Sequence, residues 1–229
     1  MSHILDNPIY NSLITAHHKY SAGSENVKFY NKEIASFAGL KNNSIKDFEE
    51  LYKISDANDL FIVFSKLKIE IPKSWKLITR IDMYQLVYQK NEIPEFDNIS
   101  LRDLCETNVT EMTDLVNLTK PGPFRIRTID LGNYTGIFED DKLVSMAGHR
   151  FNPTPYTEIS AVCTHPDYLG KGYAYILLCE QVKRILNKSE IPFLHVRSDN
   201  IAAVKLYQKV GFEIRTEMIA YVISKESDF

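Results

Sequence analysis

The chain has 229 residues, 44% hydrophobic and 25% charged, with a net charge of −3 and a pI near 6.1. This is the balance of a globule long enough for one large or two small cores, without the broad basic field that nucleic acid or an anionic membrane would require of a main partner. Cys105, Cys163 and Cys179 form no C-x-x-C pair, Asp6-Asn7-Pro8 interrupts any leader-like start, and no apolar run nears the ~18 residues of a membrane span; the expected compartment is the cytoplasm, with no metal.

Asp6 and Asn7 before Pro8 read as cap and first turn of a helix running to about Tyr20. A loop over Ser21 to Glu25 follows, then a second helix over Val27 to Phe37. Ser44 with Asp47 resembles a capping box, opening a third helix that carries Phe48, Leu51 and Tyr52. Leu60–Phe64 and Met83–Tyr88 are strands by their β-branched and aromatic content. Residues 1–90 therefore read as an α/β region without obvious chemistry, and residues 91–98, with Pro94 and several acidic side chains, as a linker.

Beyond it, Ile99–Leu101 is a strand candidate. Leu104, Val109, Met112, Leu115, Val116 and Leu118 suggest one or two helices, closed by Pro121-Gly122-Pro123. Residues 134–138 and 142–151 flank the acidic turn Glu139-Asp140-Asp141 as a hairpin. Tyr156–Thr164 reads as a strand, Ile191–Arg197 as another, Asn200–Lys209 as a helix, and Glu213–Ser224 as a final strand or hairpin.

The segment Tyr168-Leu169-Gly170-Lys171-Gly172-Tyr173-Ala174 joins the strand at 156–164 to a helix. Gly170 and Gly172 lack Cβ, so peptide N–H groups can converge there on an anion at the positive end of the helix dipole. A P-loop is excluded because no Ser or Thr follows Lys171, and a dinucleotide fingerprint because Tyr175 stands where a third glycine is needed. A tight turn with no ligand would use the same two glycines.

Three blocks together, Glu158-Ile-Ser-Ala-Val-Cys-Thr-His-Pro, the glycine turn, and Asn200-Ile-Ala-Ala-Val-Lys-Leu-Tyr207-Gln-Lys-Val-Gly211-Phe212, resemble the GNAT superfamily of acyl-CoA-dependent N-acyltransferases. The resemblance covers about residues 100–229. Gly172 and Ala174 match the family's phosphate motif, whereas Leu169 stands where Gln or Arg is usual. Gly122-Pro-Phe-Arg-Ile-Arg-Thr and Met146-Ala-Gly also look like the glycine N-acyltransferase-like branch.

The resemblance implies an α/β (α+β) fold with a central mixed, mostly antiparallel sheet flanked by helices. It makes residues 99–229 the acyltransferase domain, and residues 1–90 a further region, either a degenerate copy of that fold or a cap over the acceptor. It implies acetyl-CoA or another acyl-CoA as co-substrate and transfer to a primary amine by direct attack. A small amine or amino acid is the favoured acceptor, and a protein or peptide amine the second. A catalytically silent acyl-CoA-binding module is the alternative. The cofactor-binding residues would be Val162, Cys163, Thr164, Leu169, Gly170, Lys171, Gly172, Tyr173, Ala174 and Asn200, with backbone amides in place of the absent Gln or Arg side chain.

Such a transfer must first deprotonate an amine of pKa about 10.4, a deficit of roughly 4 kcal/mol at pH 7; the departing thiol, near 8.5, needs less help. A base or a strongly depressed amine pKa is thus the larger requirement. By the resemblance Glu158 is the expected base and Tyr207 the expected acid. Cys163 reads as packing, His17 and His18 as splayed rather than metal-spaced, His149 and His195 as strand residues within reach of an acceptor pocket, and Arg125 and Arg127 as carboxylate ligands or ordinary ion-pair partners.

Overall fold

A computed structural model describes residues 3–90, 92–96 and 99–225. In chain order the strands are β1 (Ser21–Gly23), β2 (Val27–Tyr30), β3 (Ala38–Leu40), β4 (Leu60–Ser65), β5 (Trp75–Tyr88), β6 (Arg102–Asp103), β7 (Thr135–Glu139), β8 (Lys142–His149), β9 (Tyr156–Thr164), β10 (Ile191–Arg197) and β11 (Phe212–Lys225). The α-helices are α1 (Pro8–Ile14), α2 (Ile45–Ile54), α3 (Val109–Thr119), α4 (Tyr173–Leu186) and α5 (Ile201–Val210). β1–β3 form a small antiparallel sheet, and the other eight strands a large one in the order β4-β11-β5-β10-β9-β8-β7-β6. β9 and β10 are its parallel pair, and the remaining neighbours run antiparallel. The mixed, mostly antiparallel sheet with flanking helices is thus the fold expected.

The expected third helix is α2, and its capping box is closed in both directions: Asp47 N–H meets Ser44 Oγ, and the Ser44 N–H meets Asp47 Oδ2. Several expectations give way: the first helix ends at Ile14 and not near Tyr20, and Ser21–Gly23, expected as loop, is β1. Val27–Phe37 is not a helix; its first four residues are β2, with Val27 and Tyr30 buried. β-branched and aromatic side chains there pack on neighbouring strands better than on a helix face. The expected strand at Ile99–Leu101 is displaced to the two residues of β6, paired with Thr135 and Gly136.

The sheet separates two cores. On one face Leu86, Ile159, Leu194 and Phe212 pack against Leu178, Val182 and Ile185 of α4 and Val204 of α5. On the other, Met83, Phe193 and Ala220 pack under Leu5, Ile9, Tyr30, Phe37, Phe64 and Phe151. β5 sits at the centre: residues 83–87 pair with β10, while the whole strand pairs with β11. The segment 91–98, of which Asn91, Asp97 and Asn98 lie outside the described residues, therefore runs between a central strand and β6 at the far edge.

Candidate active site

β9 and β10 start paired and then separate. Their ladder ends at Phe193↔Glu158, although β10 continues to Arg197 against β5 and β9 to Thr164 against β8. β9 also carries a bulge: Met146 opposes Cys163 and Gly148 opposes Ser160, so Ala161 and Val162 share one partner position. Ala161 takes φ +52°, a left-handed conformation rare for a residue with a Cβ. The bulge bends β9 as the parallel ladder ends.

A cavity of about 470 Å³ occupies the opening. Val162, Cys163, Thr164, Asn200 and Tyr207 line it together, as do Ile159–Ala161 and Val196. From the opposite face come Phe37, Ile62, Phe64, Ile81, Met83, Arg150, Ala220 and Val222. Asn200 also caps α5, its side-chain oxygen accepting from the Ala203 N–H. The partly buried Tyr207 hydroxyl has no hydrogen-bond partner among the described residues, and burial pushes it up to about 12.

After β9 the chain makes a short 3₁₀ turn at Pro166–Tyr168 and enters the glycine turn. Gly170 and Gly172 both take φ +80°. Neither is crowded, since a Cβ at either would meet nothing within 4 Å; the glycines serve the backbone conformation and leave space above it. Gly172 is the N-cap of α4 and supplies no capping side chain, so first-turn N–H groups around Tyr173 and Ala174 gain no capping bond from it. Leu169 is exposed, and the Lys171 ammonium rests 4.7 Å from the Tyr168 ring centroid. These are the features of an open anion cradle, assembled from backbone beside one lysine.

Glu158 is in a different setting from that of a free base. It is fully buried and is not among the residues lining the cavity. Arg150 grips it at both oxygens, Nε to Oε2 at 2.8 Å and Nη2 to Oε1 at 2.6 Å, and His195 Nδ1 is 2.6 Å from Oε1. Burial alone would raise the carboxyl pKa; the Arg150 charge and hydrogen bonds, with His195, overcome it and hold the group at about 2. Arg150 is in turn surrounded by the rings of Phe37, Phe64 and Phe151, with centroids 5.1, 5.7 and 4.8 Å from its guanidinium carbon.

The hydrogen bonds continue across the sheet. Arg215 Nε donates to Gln85 Oε1 at 2.5 Å, which fixes the amide; Gln85 Nε2 then donates to the Leu5 carbonyl at 2.8 Å and to His195 Nε2 at 2.9 Å. Since His195 Nε2 must accept, its proton lies on Nδ1 and points at Glu158. With Nε2 accepting, the ring carries a single proton and is neutral, and burial lowers the His195 pKa in the same sense in spite of the adjacent carboxylate.

Arg150 and Gln85 were not singled out from sequence; a signal for Arg150 existed in its place just after β8, where the chain turns back to pair with β9 at Glu158. Arg125 and Arg127 are engaged elsewhere, with Ser36 and Asp130 respectively. Cys163 is buried with its thiol pushed up to about 11 by burial, consistent with packing. Among the described residues no group of three His, Cys, Asp or Glu is placed to hold a metal, and no helix is long and apolar enough to cross a membrane.

The family described as FR47-like protein matches residues 134–220, which run from β7 into β11 and include the bulge, the glycine turn and α5. Among solved structures, a GNAT-family acetyltransferase from Novosphingobium aromaticivorans is 29% identical, with a TM-score of 0.92 over 99% of this chain and 100% of that one. A GCN5-related N-acetyltransferase from Kribbella flavida (10% identity, TM-score 0.60, 96% of each chain) and a GNAT-family acetyltransferase from Colwellia psychrerythraea (14%, 0.54, 97% of each) share the fold. No curated protein matches in sequence. The chain thus has the GNAT acetyltransferase fold, and its residues 134–220 match the FR47-like family.

Proposed function

We propose that the protein transfers an acyl group, acetyl foremost, from acyl-CoA to a primary amine by direct attack within a ternary complex. The observation that carries this reading is the opening of β9 from β10 beyond Glu158, whose cavity gathers Val162–Thr164, Asn200 and Tyr207. The neighbouring glycine turn suits a pyrophosphate. The acceptor is a small amine or amino acid, as the glycine N-acyltransferase-like resemblance suggests, ahead of a peptide amine.

In this reading the neutral amine nitrogen attacks the thioester carbonyl carbon, the C–N bond forms and the C–S bond breaks; the nitrogen sheds one proton to become the amide, and the departing thiolate takes up one in balance. Tyr207 lines the cavity and burial keeps its hydroxyl protonated, which supports a role as hydrogen-bond donor to that sulfur. With a pKa well above that of the thiol, it acts as a donor that keeps its proton until the sulfur is ready to share it. Glu158 we assign an electrostatic task in place of the base first expected. A carboxylate held at about 2 and gripped by three donors has little affinity for a proton, and its burial removes it from the amine. The amine instead loses its proton to water as it enters apolar surroundings, which depress an ammonium pKa.

Calorimetry with acetyl-CoA, followed by thiol release in the presence of amines, tests the proposal. Acetyl-CoA binding with amine-dependent thiol release is the expected result. Failure to bind acetyl-CoA would sink it, and binding without turnover of any amine would leave a silent acyl-CoA module.

A further inference from the structure

The cavity crosses the sheet, and its two ends differ in chemistry. On the α5 side stand Thr164, Asn200 and Tyr207; on the other, Phe37, Ile62, Phe64 and Ile81 form an apolar wall, with Arg150 and His195 as polar elements beside it. From this we infer that the acceptor is a small primary amine with an apolar or aromatic body and no carboxylate, seated on that wall. The inference rests on the acyl-transfer reading above and narrows its acceptor.

The charge on the wall is already matched. Arg150 gives Nε and Nη2 to Glu158, which leaves Nη1 without a partner among the described residues. A guanidinium so neutralised can donate one more hydrogen bond to an uncharged oxygen. It offers no unmatched positive charge to an incoming carboxylate, which would be brought near Glu158 as well. Among other cations at the cavity, Arg197 is exposed and paired with Asp199, and Lys120 is exposed on the loop after α3. His195 is neutral, with both ring nitrogens engaged. A carboxylate on the enclosed wall would therefore be buried without a countercharge, which costs several kcal/mol, whereas each methylene placed there gains about 0.8 kcal/mol.

The wall is also fixed in place. Thr128 Oγ1 donates to the Ile34 carbonyl at 2.7 Å, Arg125 Nη2 to Ser36 Oγ at 2.9 Å, and the Tyr20 hydroxyl to the Asp130 carbonyl at 2.7 Å. These bonds tie the segment carrying Phe37 to the body of the protein, so the cavity presents a set shape to a small molecule.

The full chain is assayed for thiol release from acetyl-CoA with phenethylamine, tyramine, phenylalanine, glycine and a lysine-containing peptide, with acetyl-CoA affinity measured separately by calorimetry. Phenethylamine is expected to exceed phenylalanine in kcat/KM by about 100-fold or more, the effect of one unmatched carboxylate. Ile62→Ala and Ile81→Ala, at partly exposed positions, are expected to raise the phenethylamine KM several-fold and leave the acetyl-CoA Kd unchanged. Preference for phenylalanine, glycine or the peptide overturns the inference and leaves acyl transfer standing. So does an unchanged KM in both variants, or a preference for hexanoyl-CoA over acetyl-CoA, which would give the apolar wall to the acyl chain. Loss of acetyl-CoA binding in the unmodified protein, or binding with no amine turned over, overturns the acyl-transfer reading itself.

Discussion

The side-chain amide of Gln85 donates to Nε2 of His195 across 2.9 Å, and so decides on which nitrogen the imidazole carries its proton. The amide cannot flip, because Arg215 donates to its oxygen and the Leu5 carbonyl accepts from its nitrogen. In ¹⁵N NMR of the labelled protein at pH 7, His195 should show the neutral ring with the proton on Nδ1. A spectrum of the Nε2–H tautomer would contradict the network. Gln85→Leu should shift the tautomer balance, and should destabilise the fold by about 1–3 kcal/mol because buried partners lose their hydrogen bonds.

Replacing Glu158 tests the assignment of its charge. Glu158→Gln removes the countercharge of a buried guanidinium and sets amide hydrogens against arginine donors, so unfolding free energy should drop by about 3–5 kcal/mol in urea denaturation. The double variant Arg150→Met with Glu158→Gln should lose less than the sum of the single changes. A Glu158→Gln protein of unchanged stability with a lost acid limb in its pH–rate profile would restore the carboxylate as a base.

The buried titrating groups give stability one direction in pH. Glu158 is held at about 2, below its ordinary 4.5, and burial lowers His17 to about 4, His149 to about 3, and His195 in the same direction. A depressed folded-state pKa means that the unfolded chain takes up protons first, so the contribution is complete above the unfolded pKa and drains away as pH falls. Urea unfolding should show little dependence on these groups above about pH 6.5. Below that, loss should begin with the histidines, each contributing up to about 1.4 kcal/mol per pH unit, and steepen below about 4.5 as Glu158 joins. The steeper part should be reduced in Glu158→Gln.

Much of this site could be read from the chain, because its parts are local. The glycine turn and the helix carrying Asn200 and Tyr207 each depend on residues a few positions apart, and each forms as its chemistry suggests. The surroundings of Glu158 could not be read in this way. Whether a carboxylate is free or gripped depends on Arg150, which reaches it across a strand connection, and on His195, brought alongside by parallel pairing. Val27–Phe37 is not the expected helix for a related reason: β2 is held between β1 and β3, and those strand partners, not the segment's own period, decide the outcome.

Tyr207 provides a test that stability does not confound. Its hydroxyl has no hydrogen-bond partner among the described residues, so Tyr207→Phe should change unfolding free energy by less than about 0.5 kcal/mol. If the hydroxyl supports the departing sulfur, kcat should fall by roughly one order of magnitude, with acetyl-CoA affinity little altered. An unchanged kcat would reduce Tyr207 to a wall of the cavity.

At Gly172 the expected effect comes from backbone alone. A methyl group there would meet nothing within 4 Å, yet it would have to adopt φ +80°. Gly172→Ala should cost about 1–2 kcal/mol in strain. If the turn relaxes to escape it, the N–H groups move and the acetyl-CoA Kd rises; calorimetry on Gly172→Ala and Gly170→Ala measures this. Retained affinity in both would show that the turn does not hold the pyrophosphate.

The central place of β5 also bears on how the molecule comes into being. Tyr88 pairs with Phe212, and Trp75 with Lys225, so strands far apart in sequence complete one ladder. During synthesis β5 emerges long before either neighbour, and both of its edges stay open until β10 and then β11 have been made. Such distant partners raise contact order and slow folding, and an open strand edge invites association with other chains. The nascent polypeptide therefore passes through a vulnerable interval that lasts until β11 has been made, and its yield in a cell will be governed by how well that interval is shielded.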